Sequence, residues 1–284
     1  MTQTEPKRLR LLTYMCPDIP VSTFAFLRNC IEEVTELETD LIIEDRFKGP
    51  MSNRANPFSE DLADIVALHS TNYLQLKEQN QEHMQLCPIA PVFQHPHAAG
   101  RPVYFSEIII HIRNKDKYKT IIDLKGCSWA YNDKSSLSGN VVVLNHLKRE
   151  LKTNATHFGT IVESGSHLSS IKMVRDATVE AAAVDSAVLA GYLQEHEEDK
   201  DNFISLASLG PLPIFPFLFN DRLPDKIKGK ISEEFLALSS ISKWESQLKE
   251  TGIESFVPVT KDLYCIEQEL LNGIKGMSIN TAYY

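Results

Sequence analysis

Over the first ninety-odd residues, short apolar runs alternate with stretches whose apolar residues recur three or four apart. Residues 8–15 read as a strand, and residues 16–20 as a loop held open by Pro17 and Pro20. Ser22 or Thr23 then caps a helix with Phe24, Phe26, Leu27, Cys30, Ile31 and Val34 on one face. Further strands are predicted at 39–43, 63–68 and 86–93. Between them lie a loop at 46–60, marked by Gly49-Pro50 and Asn56-Pro57, and a helix opened by His69-Ser70-Thr71-Asn72. Such alternation predicts βαβ units and a largely parallel sheet.

Residues 94–102 form an extended crossover into a long strand at 103–112, where Ile108, Ile109 and Ile110 are consecutive. A second α/β series follows. Asp123-Leu124-Lys125-Gly126 makes a helical turn; strands are expected at 127–131, 159–162 and 181–184, and helices at 138–151, 168–177 and 186–195. A strand at 203–207 leads into the Pro-rich segment 209–216 and extended 217–220, and helices at 224–239, 242–250 and 261–273 fill the remainder. One α/β lobe is thus interrupted by another. The expected lobes are residues 1–96 plus 209–284, and residues 97–208, hinged by crossovers near 94–104 and 203–213. In folds of this kind ligands bind at the carboxyl ends of parallel strands and in clefts between domains.

A length of 284 residues, 43% of them hydrophobic, suffices for a sizeable core. The net charge of -9 argues against nucleic-acid and anionic-membrane partners. No apolar run approaches the ~20 residues of a membrane helix. The five cysteines contain no CxxC pair, and Cys30 and Cys127 fall on apolar positions, so unpaired thiols are expected. Free thiols and a polar N-terminus without a leader-like apolar run together predict a cytoplasmic chain.

The richest chemistry lies between Asp133 and Gly139. Ser135, Ser136 and Ser138 precede a helix carrying Val142, Val143, Leu144, Leu147 and Leu151 at helical spacing. The first N–H groups of a helix lack intrahelical partners, its dipole is positive there, and hydroxyls add donors, so the loop suits an anion. Plain N-capping by Ser136 or Ser138 is the competing reading.

Four ordered segments resemble the phosphonate-binding family of ABC-transporter substrate-binding proteins. Asp123-Leu124-Lys125-Gly126, a strand, and Asp133-Lys134-Ser135-Ser136-Leu137-Ser138-Gly139 resemble its "DLKGK-strand-DPxSxSG". Glu163-Ser164-Gly165-Ser166-His167 resembles its "GxH" turn, and Val179-Glu180-Ala181-Ala182-Ala183-Val184-Asp185 its "GxVDAAAVxS" strand. Gly210-Pro211-Leu212-Pro213, followed by Leu223-Pro224-Asp225, resembles its "SPPIP…LP" return. Order and spacing agree over about residues 103–240.

The resemblance implies an α/β, two-lobed, periplasmic-binding-protein-like (type II) clamshell with two crossover strands. It implies an oxyanion on Ser136, Ser138, Gly139 and His167, with Asp185 and neighbouring Ser186 at the ligand's other end. Ser135 belongs to the same loop, and Ser70 and Thr71 stand where the family's first lobe supplies contacts. Leu137 replaces the hydroxyl usual between the two serines. Glu44-Asp45-Arg46 matches the first lobe only loosely, and the loop 47–60 departs from the family's helix.

Other chemistries have weaker support. His95-Pro96-His97 could present two imidazoles to a metal, but no third ligand is apparent nearby. Ser164, His167 and Asp185 could form a hydrolytic triad, yet there is no G-x-S-x-G elbow. Asp185 also suits capping of the helix after it. Trp129 and Trp244 read as core. The expected function is a non-catalytic binding protein for a small phosphonate-, phosphate- or similar oxyanion-bearing metabolite, held in the inter-lobe cleft, with no cofactor and no metal. The alternatives are an enzyme of small-molecule or cofactor metabolism on the same fold, and a cytoplasmic ligand-sensing interaction module.

Overall fold

A computed structural model describes residues 6–44 and 55–277. The expected turn at Gly49-Pro50 lies outside the described residues, as do Asp45 and Arg46. The chain forms two compact units, residues 1–102 with 213–264, and residues 103–212 with 265–284.

In the first unit, strands Thr39–Ile43, Leu9–Thr13, Ile65–Ala67, Phe217–Asn220 and Met84–Leu86 lie in that order in one sheet. The first three are parallel, and Phe217–Asn220 runs antiparallel to both of its neighbours. Leu12, Phe58, Val66, Leu68, Tyr73 and Leu218 belong to one core cluster, reached by the helix Ser70–Glu78 through Tyr73, Leu74 and Leu76. The helix Val21–Thr35 follows Pro20 and has no side-chain cap, so Ser22 and Thr23 lie inside it. Pro20 is itself the N-cap residue and has no hydroxyl to offer.

The single strand expected at 86–93 is two strands, Met84–Leu86 and Ile89–Phe93, parted at Cys87-Pro88. The second pairs with Ile253–Pro258 in a separate two-stranded sheet, in a region read from sequence as having only helices. Ile253 and Phe256 are its buried positions, a spacing of three that does not show strict alternation; the pairing is irregular there, with a register shift between Ile253 and Ser255.

In the second unit, strands Phe203–Pro213, Val103–His111, Ala181–Asp185, Trp129–Tyr131 and Ile161–Glu163 form one sheet in that order. The last three are mutually parallel, and Val103–His111 is antiparallel to Ala181–Asp185. Helices Val142–Arg149, His167–Arg175 and Ser186–Glu195 follow the parallel strands. Trp129 is fully buried and stacks on Phe158 with ring centroids 4.1 Å apart.

Residues 265–277 were expected with the first lobe but pack with the second unit. The reason is local: Asn145 Nδ2 donates to Leu270 O at 2.7 Å, and Lys148 Nζ to Gly273 O at 2.6 Å. The chain therefore passes between units a third time, after residue 264, which the two crossovers in the sequence did not indicate.

All five cysteines are unpaired; only Cys265 is exposed. Burial pushes the thiols of Cys30, Cys87 and Cys127 up to about 12, and that of Cys16 to about 11. A thiol-reactive dye at pH 8 should titrate one cysteine in the native protein and five after denaturation. More than one fast native thiol would contradict this packing.

Glu180 ties the start of Ala181–Asp185 to its surroundings. It accepts from Tyr118 Oη at 2.8 Å, from the Ser128 N–H at 3.0 Å and from Lys117 Nζ. Burial pushes its carboxyl up, but these donors outweigh that and hold it at about 2. Its stabilising contribution is therefore complete above the unfolded value near 4.5 and is lost as pH falls towards 2. Glu180→Gln should cost about 1–2 kcal/mol at pH 7. In urea titrations the difference from the parent should shrink between those two pH values, and a constant difference would refute the linkage.

Candidate functional site

The parallel register Trp129↔Ile161 and Trp129↔Ala181 aligns the carboxyl ends of three strands in the second unit. Two of the strands run through a loop to a helix N-terminus and Ala181–Asp185 runs directly into one, so three such ends share one sheet edge. Asn132 follows Tyr131, Ser164–His167 follow Glu163, and Ser186 follows Asp185.

The serine loop is organised from its start. Asp133 Oδ1 accepts from the N–H and the hydroxyl of Ser135. That turn uses the Ser135 hydroxyl inside the loop, and Ser135 is exposed. Ser136 Oγ accepts from the Gly139 N–H at 3.0 Å, so Ser136 is the N-cap. The first turn, Leu137–Val141, is wider than an α-helix. The Val141 N–H reaches Ser136 O, five residues back, at 3.0 Å, before the regular helix Val142–Arg149 begins. Wide turns of this kind concentrate at functional sites.

Gly139 makes this geometry feasible. A Cβ at Gly139 would lie 1.9 Å from Asn132 Oδ1 and 3.1 Å from Ser136 Oγ. Only a residue without a side chain lets the Asn132 amide lie against the turn.

His167 joins the turn from the neighbouring loop. Its Nε2 lies 3.3 Å from Ser138 Oγ and 3.1 Å from Asn132 Nδ2, and its Nδ1 accepts from the Asp185 N–H at 3.3 Å. With Nδ1 an acceptor, the neutral ring carries its proton on Nε2 and donates to Ser138 Oγ, which keeps its own O–H to give. Asn132 Oδ1 is buried without a hydrogen-bond partner. Turning that amide over would offer Nε2–H a second acceptor. Ser106 Oγ donates to Ser138 O at 2.6 Å and pins the turn to the long strand. The Tyr104 hydroxyl is hydrogen-bonded to the Ser138 side chain. Burial first, then the negative charges of Asp185 and Glu267, push Tyr104 well above the usual phenol value, so it is a neutral donor.

Ser136, Ser138, Gly139 and His167 are therefore brought together. Asp185 lies beside them, and its Oδ1 accepts from the N–H groups of Ala187 at 2.7 Å and Val188 at 3.3 Å, capping the helix that follows. The neighbouring Ser186 hydroxyl accepts from the Phe105 N–H at 3.0 Å. Ser70 and Thr71 are in the first unit, in the first turn of Ser70–Glu78.

The Ser164 hydroxyl is turned to Tyr131 O, Ser166 O and Ser170 Oγ rather than to His167, so it is not set up as a nucleophile. His95 Nδ1 accepts from the His97 N–H, and among the described residues no three His, Cys, Asp or Glu side chains are grouped to hold a metal.

Asn132, Tyr104 and Ser106 were not read from sequence as site residues. Asn132 carried a signal, as the first polar residue after a buried strand on a carboxyl edge. Tyr104 and Ser106 carried none, because their contacts come from antiparallel pairing across 79 residues, Ser106 opposite Asp185.

The sequence matches the family of ABC-transporter phosphonate periplasmic substrate-binding proteins over residues 21–264. The chain belongs to that family. No curated protein sequence matches it. Among solved structures, a binding-protein component of an ABC phosphonate transporter from Pseudomonas aeruginosa superposes with a TM-score of 0.73 at 16% identity, covering 94% of this chain and 86% of that one. PhnD1 from Prochlorococcus marinus, in complex with methylphosphonate, gives 0.73 at 15% identity over 95% of this chain and 100% of that one. The periplasmic aliphatic sulphonate binding protein SsuA from Escherichia coli gives 0.62 at 13%, covering 96% and 88%. These likenesses establish the two-lobed α/β binding-protein fold.

Family membership also corrects the expected compartment. The family is periplasmic, so the cytoplasmic assignment drawn from the N-terminal residues and the unpaired cysteines does not stand. Buried thiols held at about 11 to 12 are poor nucleophiles, so remaining unpaired is no marker of compartment. Among the described residues, no helix is long and apolar enough to cross a membrane.

Gly139→Ala should destabilise the protein by about 1–3 kcal/mol in urea unfolding, because the new methyl overlaps the Asn132 amide. Adding Asn132→Ala should recover at least half of that loss. Simple additivity of the two substitutions would show that they do not share this contact.

Proposed function

We propose that this family member binds a small tetrahedral oxyanion of the phosphonate or phosphate class at Ser136–Gly139 and His167, and delivers it to an ABC transporter. One observation carries the reading. Ser138 Oγ at one helix N-terminus and His167 Nε2 at the next lie 3.3 Å apart on one sheet edge. Two positive helix ends converge there with hydroxyl, amide and imidazole donors. Neutral donors suit an acidic chain, because an empty site then leaves no buried cation to desolvate. The complex of PhnD1 with methylphosphonate, on the same fold, supports the ligand class.

The enzyme alternative has no comparable support: the family is one of substrate-binding proteins, and with Nδ1 taken by the Asp185 N–H, His167 Nε2 donates to Ser138 Oγ and is not placed to take its proton. The two units correspond in this reading to the two lobes of the binding-protein fold, and the serine loop belongs to the second.

Calorimetry should detect methylphosphonate binding to the parent protein. Ser138→Ala combined with His167→Gln should weaken it by about 2–4 kcal/mol, given about 1.5–3 for each hydrogen bond to a charged group and partial overlap between them. Glutamine retains much of the volume of a ring that is only 4% exposed, so the double variant should still melt cooperatively. A folded double variant that binds as tightly as the parent would remove these residues from the site.

A further inference from the structure

The helix Cys265–Gly273 has an inverted pattern. Its one buried side chain is Glu267, which is 0% exposed, while Ile266 beside it is 39% exposed. Helices that dock on a core turn apolar residues inward and carboxylates outward, because a buried carboxylate costs several kcal/mol without compensation. The place where Glu267 is buried supplies a reason. This helix packs on the wide turn Leu137–Val141 and on Val142–Arg149, within the same unit. It is pinned by Asn145 Nδ2 to Leu270 O and by Lys148 Nζ to Gly273 O. Gly273 is pressed so close to Asn145 that a Cβ there would fall 2.4 Å from Asn145 Oδ1. The buried carboxylate is thus carried to the element that begins at Ser136 and Ser138. Its charge is felt at Tyr104, whose hydroxyl bonds the Ser138 side chain. Ser138 and His167 are themselves 1% and 4% exposed.

We infer that the C-terminal helix Cys265–Gly273 caps the oxyanion cradle, with Glu267 as its resident internal anion, and that a ligand must displace this carboxylate in order to bind. The inference rests on the reading of Ser136–Gly139 and His167 as an anion cradle. A fixed negative charge beside an anion site opposes a second anion, most strongly where water is excluded. Packed on the turn Leu137–Val141, the helix holds Glu267 near the positive start of the element that would stabilise a phosphonate, which gives a reason for a carboxylate in the position of a core residue. The cap would set a threshold: only ligands able to outcompete the internal carboxylate are retained.

The test uses the full chain with methylphosphonate as probe. Glu267→Gln keeps the shape and removes the charge, and should bind about tenfold tighter by calorimetry. In the parent, hydrogen exchange across 265–273 should speed up on saturation with methylphosphonate as the helix is released. Glu267→Ala should tighten binding in the same direction, which covers a failure of the glutamine variant to fold. A parent that is silent and a Glu267→Gln protein that binds would also support the cap. Equal or weaker binding by both variants would overturn it, as would tighter binding with no change in exchange. If Ser138→Ala with His167→Gln abolishes binding while Glu267→Gln changes nothing, the cradle stands and only the cap falls. If neither parent nor variant binds, the cradle and the cap fall together.

Discussion

Parallel pairing of three short strands is the constraint on which the candidate site depends. Trp129–Tyr131 lies between Ile161–Glu163 and Ala181–Asp185, and its register with each aligns their carboxyl ends. A parallel ladder cannot slip by one residue without turning Trp129 and the alanines of 181–183 from one face of the sheet to the other. Trp129 and Ala181 to Ala183 are fully buried, so hydrophobic burial locks the register. The positions of Asn132, His167 and Asp185 follow from that lock. The site is built by core packing, with its polar groups at the ends of strands that packing has already placed.

On this frame the polar contacts are interlocked. Asn132 presses against Gly139, leaves no room for a side chain there, and reaches His167. His167 in turn takes the Asp185 N–H, and Ser138 is held through its carbonyl by Ser106. Each group fixes the donor direction of the next, so the hydroxyls and the imidazole proton are oriented before a ligand arrives. Preorganisation of this kind would let neutral donors hold an anion at the proposed site, since the donors themselves need little ordering.

Glu267 shows how an apparently misplaced residue becomes intelligible. As core packing, a buried acid on a helix with an outward isoleucine is unfavourable. Carried on a helix that packs on the turn Leu137–Val141, it gains a role in the proposed cap. The cysteines teach the reverse lesson. They read from sequence as a sign of compartment, whereas the physics of Cys16, Cys30, Cys87 and Cys127 is that of small buried apolar groups whose burial keeps them protonated.

Much of this protein is determined by local sequence. Strand–helix alternation, the serine-rich helix start, the helix from Ser186 and the apolar strand around Ala182 all depend on residues close together in the chain, where periodicity and capping act. The ordered motifs between Asp123 and Asp225 were enough to indicate the family. Only the tertiary structure decided what depends on distant partners. It divided residues 84–93 between two sheets, because Met84–Leu86 pairs with Phe217–Asn220 and Ile89–Phe93 with Ile253–Pro258. It brought Tyr104 and Ser106 to a turn more than thirty residues away. It moved residues 265–273 to the second unit through Asn145 and Lys148. For Val142–Arg149 the amphipathic pattern states which face is buried, whereas for Cys265–Gly273 it does not, because what lies against a face is settled by shape and charge elsewhere in the chain.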